Sequence, residues 1–311
     1  MRIIKFITVL LLSALIIAGC SNNDNSNEDK ETLLVVTSFS VIEDIVKQIG
    51  GDLVETHNLV KIGTDPHEFD PLPEDIKAAT DADIIMYNGF NLEGDDNGSW
   101  IERLAKSINK DVNDFYELME GAEPLYLEGA DGRPDQINPH AFLDPNYGIY
   151  MAEKVRDALI ENLPEQEQYF TERANEYIGE LKEIDELYKE KIAEIPKEDR
   201  ILITSERAFQ YVTHRYGLEE GFIFQIDTEE TGTPDQIKSL IEFIKEKQPP
   251  VLFVETNVDQ RPMETISNET GVEIYAEIFS DELGRPGQEG DSYTKFLRYN
   301  IEVIHAGLTS K

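Results

Sequence analysis

Residues 164–196 constrain this chain more than any other stretch. Within them Tyr177, Leu181, Ile184, Tyr188 and Ile192 recur at intervals of three and four, the spacing of one helix face. Pro164 and Pro196 bracket the segment as start and stop signals. Such a helix of roughly 30 residues is about 45 Å long. The stripe is short and broken by Lys191, which argues against a coiled-coil seam. The segment therefore reads as a stiff strut laid across whatever the two flanking halves form.

Those halves echo each other. Leu33 to Ser38 is a buried-type strand followed by a helical stretch from Val41 to Ile49, and Arg200 to Ser205 repeats that strand with the same Thr-Ser ending. Ala82 to Asn88 and Pro249 to Asn257 are a second matching pair, each an apolar run that ends in polar residues. An alternating run from Val54 to Ile62 reads as another strand, a helix is expected from near Glu74, Trp100 to Ser107 reads as helix, and Pro124 to Leu127 as a further short strand. In the second half Val272 to Ile278 alternates like a strand. Alternating β and α elements predict an α/β fold: two similar lobes with mostly parallel sheets, joined by one long helix. The glycine-rich run 284–290 follows no strand and opens no convincing phosphate-binding helix, so it reads as a loop.

The front of the chain is of another kind. Met1, Arg2 and Lys5 precede an apolar run from Phe6 to Ile17, too short for the roughly 20 residues that span a bilayer. Ala18-Gly19 then lead to Cys20, the one cysteine in the chain, so neither a disulfide nor a thiolate metal site is available to the body. The pattern resembles a bacterial lipoprotein signal, which implies cleavage before Cys20 and a lipid on its thiol. Residues 21–32 carry no large apolar side chain and read as a disordered tether. A flexible segment of that length spans about 20 Å. The expected organisation is a signal peptide over 1–19, lipidated Cys20 with the tether over 20–32, an N-terminal lobe over 33–163, the linking helix over 164–196 and a C-terminal lobe over 197–311.

Charge narrows the partners. Sixty-three acidic against 28 basic residues give −35, and loss of the signal, with Arg2 and Lys5, leaves about −37. Such a surface repels nucleic acid and anionic lipid, while cations suit it. Candidate groups leave the strand ends. Gly63-Thr64-Asp65-Pro66-His67-Glu68-Phe69-Asp70-Pro71 puts an imidazole on a short turn stiffened by two prolines. Asn138-Pro139-His140 places a second histidine directly after a proline, Glu206 follows the first strand of the second half, and Asp281 follows the 272–278 run. Gaps of 73, 66 and 75 residues separate these four, so no local motif unites them.

The chain resembles the metal-binding lipoproteins of bacterial ABC importers for manganese, zinc or iron, a family also known as lipoprotein adhesins. The resemblance runs from the signal to the last helix. It is carried by GTDPHEFDPLPEDI (63–76), NPHAFLDP (138–145), TSERAF (204–209), TEETGTPDQI (228–237), FVETNVDQRPM (253–263), and FSDELG (279–284) with EGDSY (289–293). It implies a cluster A-I type solute-binding protein with His67, His140, Glu206 and Asp281 as ligands of one divalent ion held between the lobes. It also implies a monomer with little hinge bending, lipid-anchored through Cys20 on the extracytoplasmic face of the cell membrane. A membrane permease with its cytoplasmic ATPase would be the partner. Two imidazoles and two carboxylates can accept Mn(II), Fe(II) or Zn(II). Zinc-specific members tend to carry a third histidine where this chain has Glu206, and often a histidine-rich loop, whereas residues 105–137 contain no histidine. Both departures favour Mn(II).

Other residues have plainer readings. His57 sits in a strand pattern and reads as structural, as do His214 and His305 in helical stretches. Asp65, Glu68, Asp144 and Glu255 read as turn-capping or supporting carboxylates, and Trp100 as packing. Arg207 beside Glu206 could pair with it or point outward, and Asn138, where an aspartate is frequent in the family, could alter the hydrogen bond to His140. A metalloenzyme is the rival of another class. It would need an open coordination position and a spare acid or base, and a tethered exported body suits capture better. Adhesion to host molecules could coexist with metal capture.

Overall fold

Leu33–Thr37 (β1) is buried at four of its five positions. That suits a central strand covered on both faces by helices. The computed structural model describes residues 32–94, 98–127, 136–226 and 232–310, and Thr32–Lys311 form one compact unit. After β1, Ser40–Gly50 (α1) turns Val41, Ile42, Ile45, Val46 and Ile49 inward. The first half continues with Val54–Asn58 (β2), Pro73–Asp81 (α2), Ile84–Tyr87 (β3), Trp100–Ser107 (α3) and Tyr116–Glu117 (β4). Its sheet runs β2-β1-β3-β4, parallel throughout.

Two sequence expectations need correction in this half. The β2 ladder stops at Asn58 rather than reaching Ile62. There the Asn58 side chain accepts from Thr37 Oγ1 at 3.1 Å and donates to Val60 O at 2.6 Å. Leu59 N and Val60 N still donate to Thr37 O and Ser38 O, both at 2.9 Å, but the regular register ends at Asn58. The fourth strand is Tyr116–Glu117, not Pro124 to Leu127, where Tyr126 makes only an isolated antiparallel bridge to Ile137. Two residues are too few to show a strand period, so this edge strand left no pattern to read.

Pro145–Asn162 (α4) starts with proline at its first position, capped by Asp144, which accepts from Asn146 N at 2.9 Å. Glu167–Glu194 (α5) is the expected strut, 28 residues and therefore about 42 Å long. The second half follows with Ile201–Ile203 (β5), Gln210–Tyr216 (α6), Glu219–Gly221 (β6), Pro234–Lys247 (α7), Leu252–Glu255 (β7), Arg261–Thr270 (α8), Ile274–Ile278 (β8) and Tyr293–Leu308 (α9). Its strands pair as β5-β6 and β7-β8, again parallel. A capping box opens α7: Thr233 Oγ1 accepts from Gln236 N at 3.3 Å and Gln236 Oε1 accepts from Thr233 N at 2.6 Å.

The strut packs on α1 and α4 from the first half and on α6 and α9 from the second. Its stripe of Tyr177, Leu181, Ile184, Tyr188 and Ile192 belongs to one hydrophobic cluster that also takes in β1, α1, α4 and α9. Tyr188 donates to Leu297 O at 3.0 Å, and His305 on α9 lies 2.8 Å from Glu194, so both ends of α9 are tied to α5. A smaller apolar cluster lies between the second-half strands and helices α7 and α8. The signal, Cys20 and most of the tether lie outside the described residues, as does part of the 228–237 motif. Among the described residues no helix is long and apolar enough to cross a membrane.

Because Leu181 is fully buried in the cluster that joins the halves, Leu181→Ala is expected to cost about 2–5 kcal/mol. Exposed Lys182→Ala should stay within about 0.5 kcal/mol of the parent. Urea unfolding of both variants, with the slope checked for constancy, measures the difference; equal midpoints would remove the strut from the core.

Candidate metal centre

Each candidate side chain stands on a loop that leaves the sheet and is then fixed by neighbours. His67 lies between β2 and α2. Gly63 begins this loop at φ 91°, and a Cβ there would meet nothing within 4 Å, so the backbone conformation rather than crowding calls for glycine. Asp65 Oδ1 accepts from His67 N at 2.7 Å, closing a tight turn around Pro66. Trp100 on α3 moors the loop: its Nε1 donates to Pro66 O at 2.8 Å, and its ring meets Phe69 edge-on at 5.1 Å.

His140 opens a single 3₁₀ turn, His140–Leu143. Asn138 Oδ1 accepts from His140 N at 3.0 Å and lies 2.9 Å from His140 Nδ1. An amide oxygen only accepts, so Nδ1 carries a proton, and Nε2 is the nitrogen turned to the cluster. The orientation of the amide is settled from its other end, where Asn138 Nδ2 donates to Arg207 O at 2.9 Å and to Gln210 Oε1 at 3.0 Å. One side chain thus sets the imidazole of the first half and grips the loop of the second. Behind it, Glu93 accepts from Asn88 N at 2.7 Å and Gly89 N at 3.0 Å, and Asn88 Nδ2 donates to Pro139 O at 3.1 Å.

Glu206 follows β5. The Glu255 carboxylate at the end of β7 accepts from Ser205 N at 3.1 Å and Glu206 N at 2.9 Å, which fixes where the Glu206 side chain leaves the backbone. Asp281 follows β8, and Asn257 Nδ2 donates to its Oδ2 at 2.9 Å, so Oδ1 is the oxygen turned to the cluster. Arg207 points away: its guanidinium meets Glu220 at 2.7 Å and covers the Phe222 ring at 5.1 Å. His57 pairs with Asp75 at 2.8 Å, and His214 is exposed on α6.

His67, His140, Glu206 and Asp281 converge, 7, 0, 0 and 2% exposed, with one ligating atom of each within 4.8 Å of every other. His140 Nε2 lies 3.4 Å from Glu206 Oε1 and 3.0 Å from Asp281 Oδ1, while His67 Nε2 lies 4.0 and 3.9 Å from the same oxygens. These four nitrogen-to-oxygen separations are of the size expected between donors that share one first-row divalent ion. His67 Nε2, His140 Nε2 and Asp281 Oδ1 are buried with no hydrogen-bond partner of acceptable geometry. Polar atoms so placed cost free energy unless something accepts their lone pairs.

Electrostatics favours the metal-ready protonation state. Burial lowers the His67 imidazole to about 4, against a smaller upward pull from Asp281, so at neutral pH it is an uncharged donor. Burial alone would raise Asp281, but attraction to His140 and His67 in their protonated forms more than offsets it and holds the carboxyl well below its usual range. Asp281 thus stays ionised and available to a cation that takes the place of those protons. The bracing glutamates differ. Burial raises Glu93 and Glu255 each to about 7, against the opposing pull of the backbone N–H groups they accept from. Glu255 acts as the supporting carboxylate expected from sequence, whereas the bracing by Glu93, Asn88 and Asn257 was not assigned there. The polar strand ends at Asn88 and Asn257 were a signal; a loop glutamate such as Glu93 carries none among 63 acidic residues.

Residues 35–307 match the family described as zinc-uptake complex component A, periplasmic. The metal ABC transporter substrate-binding lipoprotein SsaB of Streptococcus sanguinis is 41% identical over 309 residues, 99% of each chain. The manganese ABC transporter substrate-binding lipoprotein PsaA of Streptococcus pneumoniae (strain TIGR4) is 40% identical over 309 residues, again 99% of each. Among solved structures, the periplasmic zinc binding protein TroA from Treponema pallidum is similar with a TM-score of 0.79 at 27% identity, over 89% of this chain and 99% of that one. A manganese-bound periplasmic metal binding protein from Candidatus Liberibacter asiaticus, 24% identical, shares the fold with a TM-score of 0.79 over 89% of this chain and 100% of its own.

Asn138→Ala removes the acceptor that orients His140, and divalent-metal affinity by calorimetric titration is expected to fall about 10–100-fold; unchanged affinity would reduce Asn138 to a packing role. A second expectation concerns pH. The folded value of Glu93 is raised to about 7 from 4.5, so the native state keeps a proton that the unfolded chain gives up. Its contribution to stability is full below about 4.5 and is lost as pH rises through about 7. Glu93→Gln should therefore make the unfolding free energy less steep across that window, by up to about 1.4 kcal/mol per pH unit. An unaltered pH profile would count against a buried, titrating Glu93.

Proposed function

The chain belongs to the family of the periplasmic zinc-uptake complex component A, and we propose that it captures one Mn(II) ion through His67, His140, Glu206 and Asp281 and delivers it to an ABC importer. The observation that carries this reading is the buried cluster of two nitrogen and two oxygen donors. With neutral imidazoles its two carboxylates bring a charge of −2, which a divalent cation cancels inside a site of lowered dielectric. Four protein donors can fill or nearly fill the shell, so capture fits better than catalysis, which needs an open position. The protein is read as a binding subunit and not an enzyme.

The choice of metal rests on the donors. Zinc binds a given nitrogen and oxygen site more tightly than manganese, and the family and TroA are both named for zinc. The oxygen-rich set with Glu206, and relatives at 40% identity named as manganese lipoproteins, favour Mn(II). Selectivity then lies in which ion is available and which can be released, with Fe(II) and Zn(II) as competitors. The relatives' names as ABC transporter substrate-binding lipoproteins support anchorage through lipidated Cys20 outside the cell membrane and delivery to a permease driven by a cytoplasmic ATPase. That the protein acts as a monomer is part of the proposal. Lobes over 33–163 and 197–311, with the helix over 164–196 between them, are the frame on which the ligands sit.

Metal competition on the body from residue 21 onward tests this. The stripped protein is offered Mn(II), Zn(II) and Fe(II) anaerobically, with the four single alanine variants alongside and bound metal counted by mass. One reversibly held Mn(II) per chain is expected, weakened more than about 100-fold in each variant, beyond the loss from an outer hydrogen-bonding partner. Tight zinc with negligible manganese would move the assignment to zinc uptake. No stoichiometric metal would sink it.

A further inference from the structure

Glu282 stands next to Asp281, and its carboxylate accepts a hydrogen bond from Gly63 N, 219 residues away in sequence. Gly63 begins the turn that carries His67, so this bond joins the two loops that present His67 and Asp281. We propose that Glu282 is a latch across the rim of the metal site, holding these loops together and slowing exchange of the bound ion. The proposal rests on the metal-binding reading above.

The setting of the bond supports the assignment. Gly63 is exposed and Glu282 half-buried, so the bond lies at the rim of the cluster, whereas the bonds of Asn138 to Arg207 and Gln210 lie at its buried back. A backbone N–H given to a carboxylate is charge-assisted and stronger than a neutral pair. With φ at 91°, Gly63 adopts a conformation that other residues rarely reach, and that conformation presents its N–H toward the second half. The far end of the Asp281 loop has its own mooring: Leu283 N donates to the Ser40 hydroxyl of α1 at 3.0 Å, and Gly284 N to Gly290 O at 2.9 Å. Loss of the Glu282 bond therefore leaves the loop anchored and frees only the contact between the two ligand-bearing segments. His67 itself keeps the Trp100 and Asp65 bonds that shape its turn. The ligand set survives such a change, but the two loops can part.

Two substitutions separate this role from a general effect of charge. Glu282→Ala removes the acceptor; Glu282→Gln loses the charge but keeps an oxygen that can accept from Gly63 N–H. With Mn(II)-loaded protein mixed with excess chelator, the alanine variant is expected to release the ion about tenfold faster, with one ion still bound per chain at saturation. The glutamine variant should stay within about threefold of the parent. Amide hydrogen exchange at Gly63 should accelerate in the alanine variant and be restored in the glutamine one. An alanine variant that releases at the parental rate, or a glutamine variant that releases as fast as the alanine one, would overturn the latch. If the parent binds no Mn(II), the metal reading fails instead, and Gly63 exchange in the metal-free chain still decides whether the bond exists.

Discussion

Two carboxylates facing each other inside a protein repel, and their charges call for a compensating positive charge beside them. Glu206 and Asp281 are placed in that position, both almost completely buried, with only imidazoles between them. Much of the surrounding architecture serves to keep them there. Glu255 pins the Glu206 backbone from the next strand, and Asn257 takes up one Asp281 oxygen so that the other faces inward. The fold bears an electrostatic penalty in one small volume, which a divalent ion held there would relieve. Affinity and strain are thus two sides of the same arrangement.

Holding four donors in place requires the halves of the chain to keep their relation. The strut contributes rigidity along its length, and α9 returns from the second half to pack on it. Asn138 does the same at the scale of one side chain, with its oxygen on His140 and its nitrogen on the loop after Glu206. Rigid-body bending about the strut would break buried hydrogen bonds as well as apolar contacts. Motion confined to the rim loops disturbs far less.

Much of this was legible in the chain and some was not. The strut, the parallel strands and the repeated strand-end chemistry follow from periodicity, because burial on one face forces a pattern on the residues. The four converging side chains were different: their spacing says nothing, and the motif resemblance around His67, His140, Glu206 and Asp281 singled them out. Asn138 was recognised as a hydrogen-bond partner of His140, but its reach to Arg207 O is a tertiary fact that no local pattern encodes. Arg207 had two open fates, and Glu220 across the β5-β6 pair decided between them. Tyr116–Glu117 escaped notice because a two-residue edge strand has no period.

The spread of the donors along the chain has a consequence for biogenesis. Asp281 comes 214 positions after His67, and its strand pairs with one that itself follows the strut and the whole of β5 and β6. A polypeptide that crosses a membrane unfolded and amino-terminus first brings out three of its four donors well before the fourth. Until residue 281 has emerged and β8 has docked, the partial set lacks one of its two negative charges and the far wall of the cluster. With the proposed ligand set, loading is deferred to the compartment in which the protein finishes folding, and metal encountered during synthesis would find no assembled site to occupy.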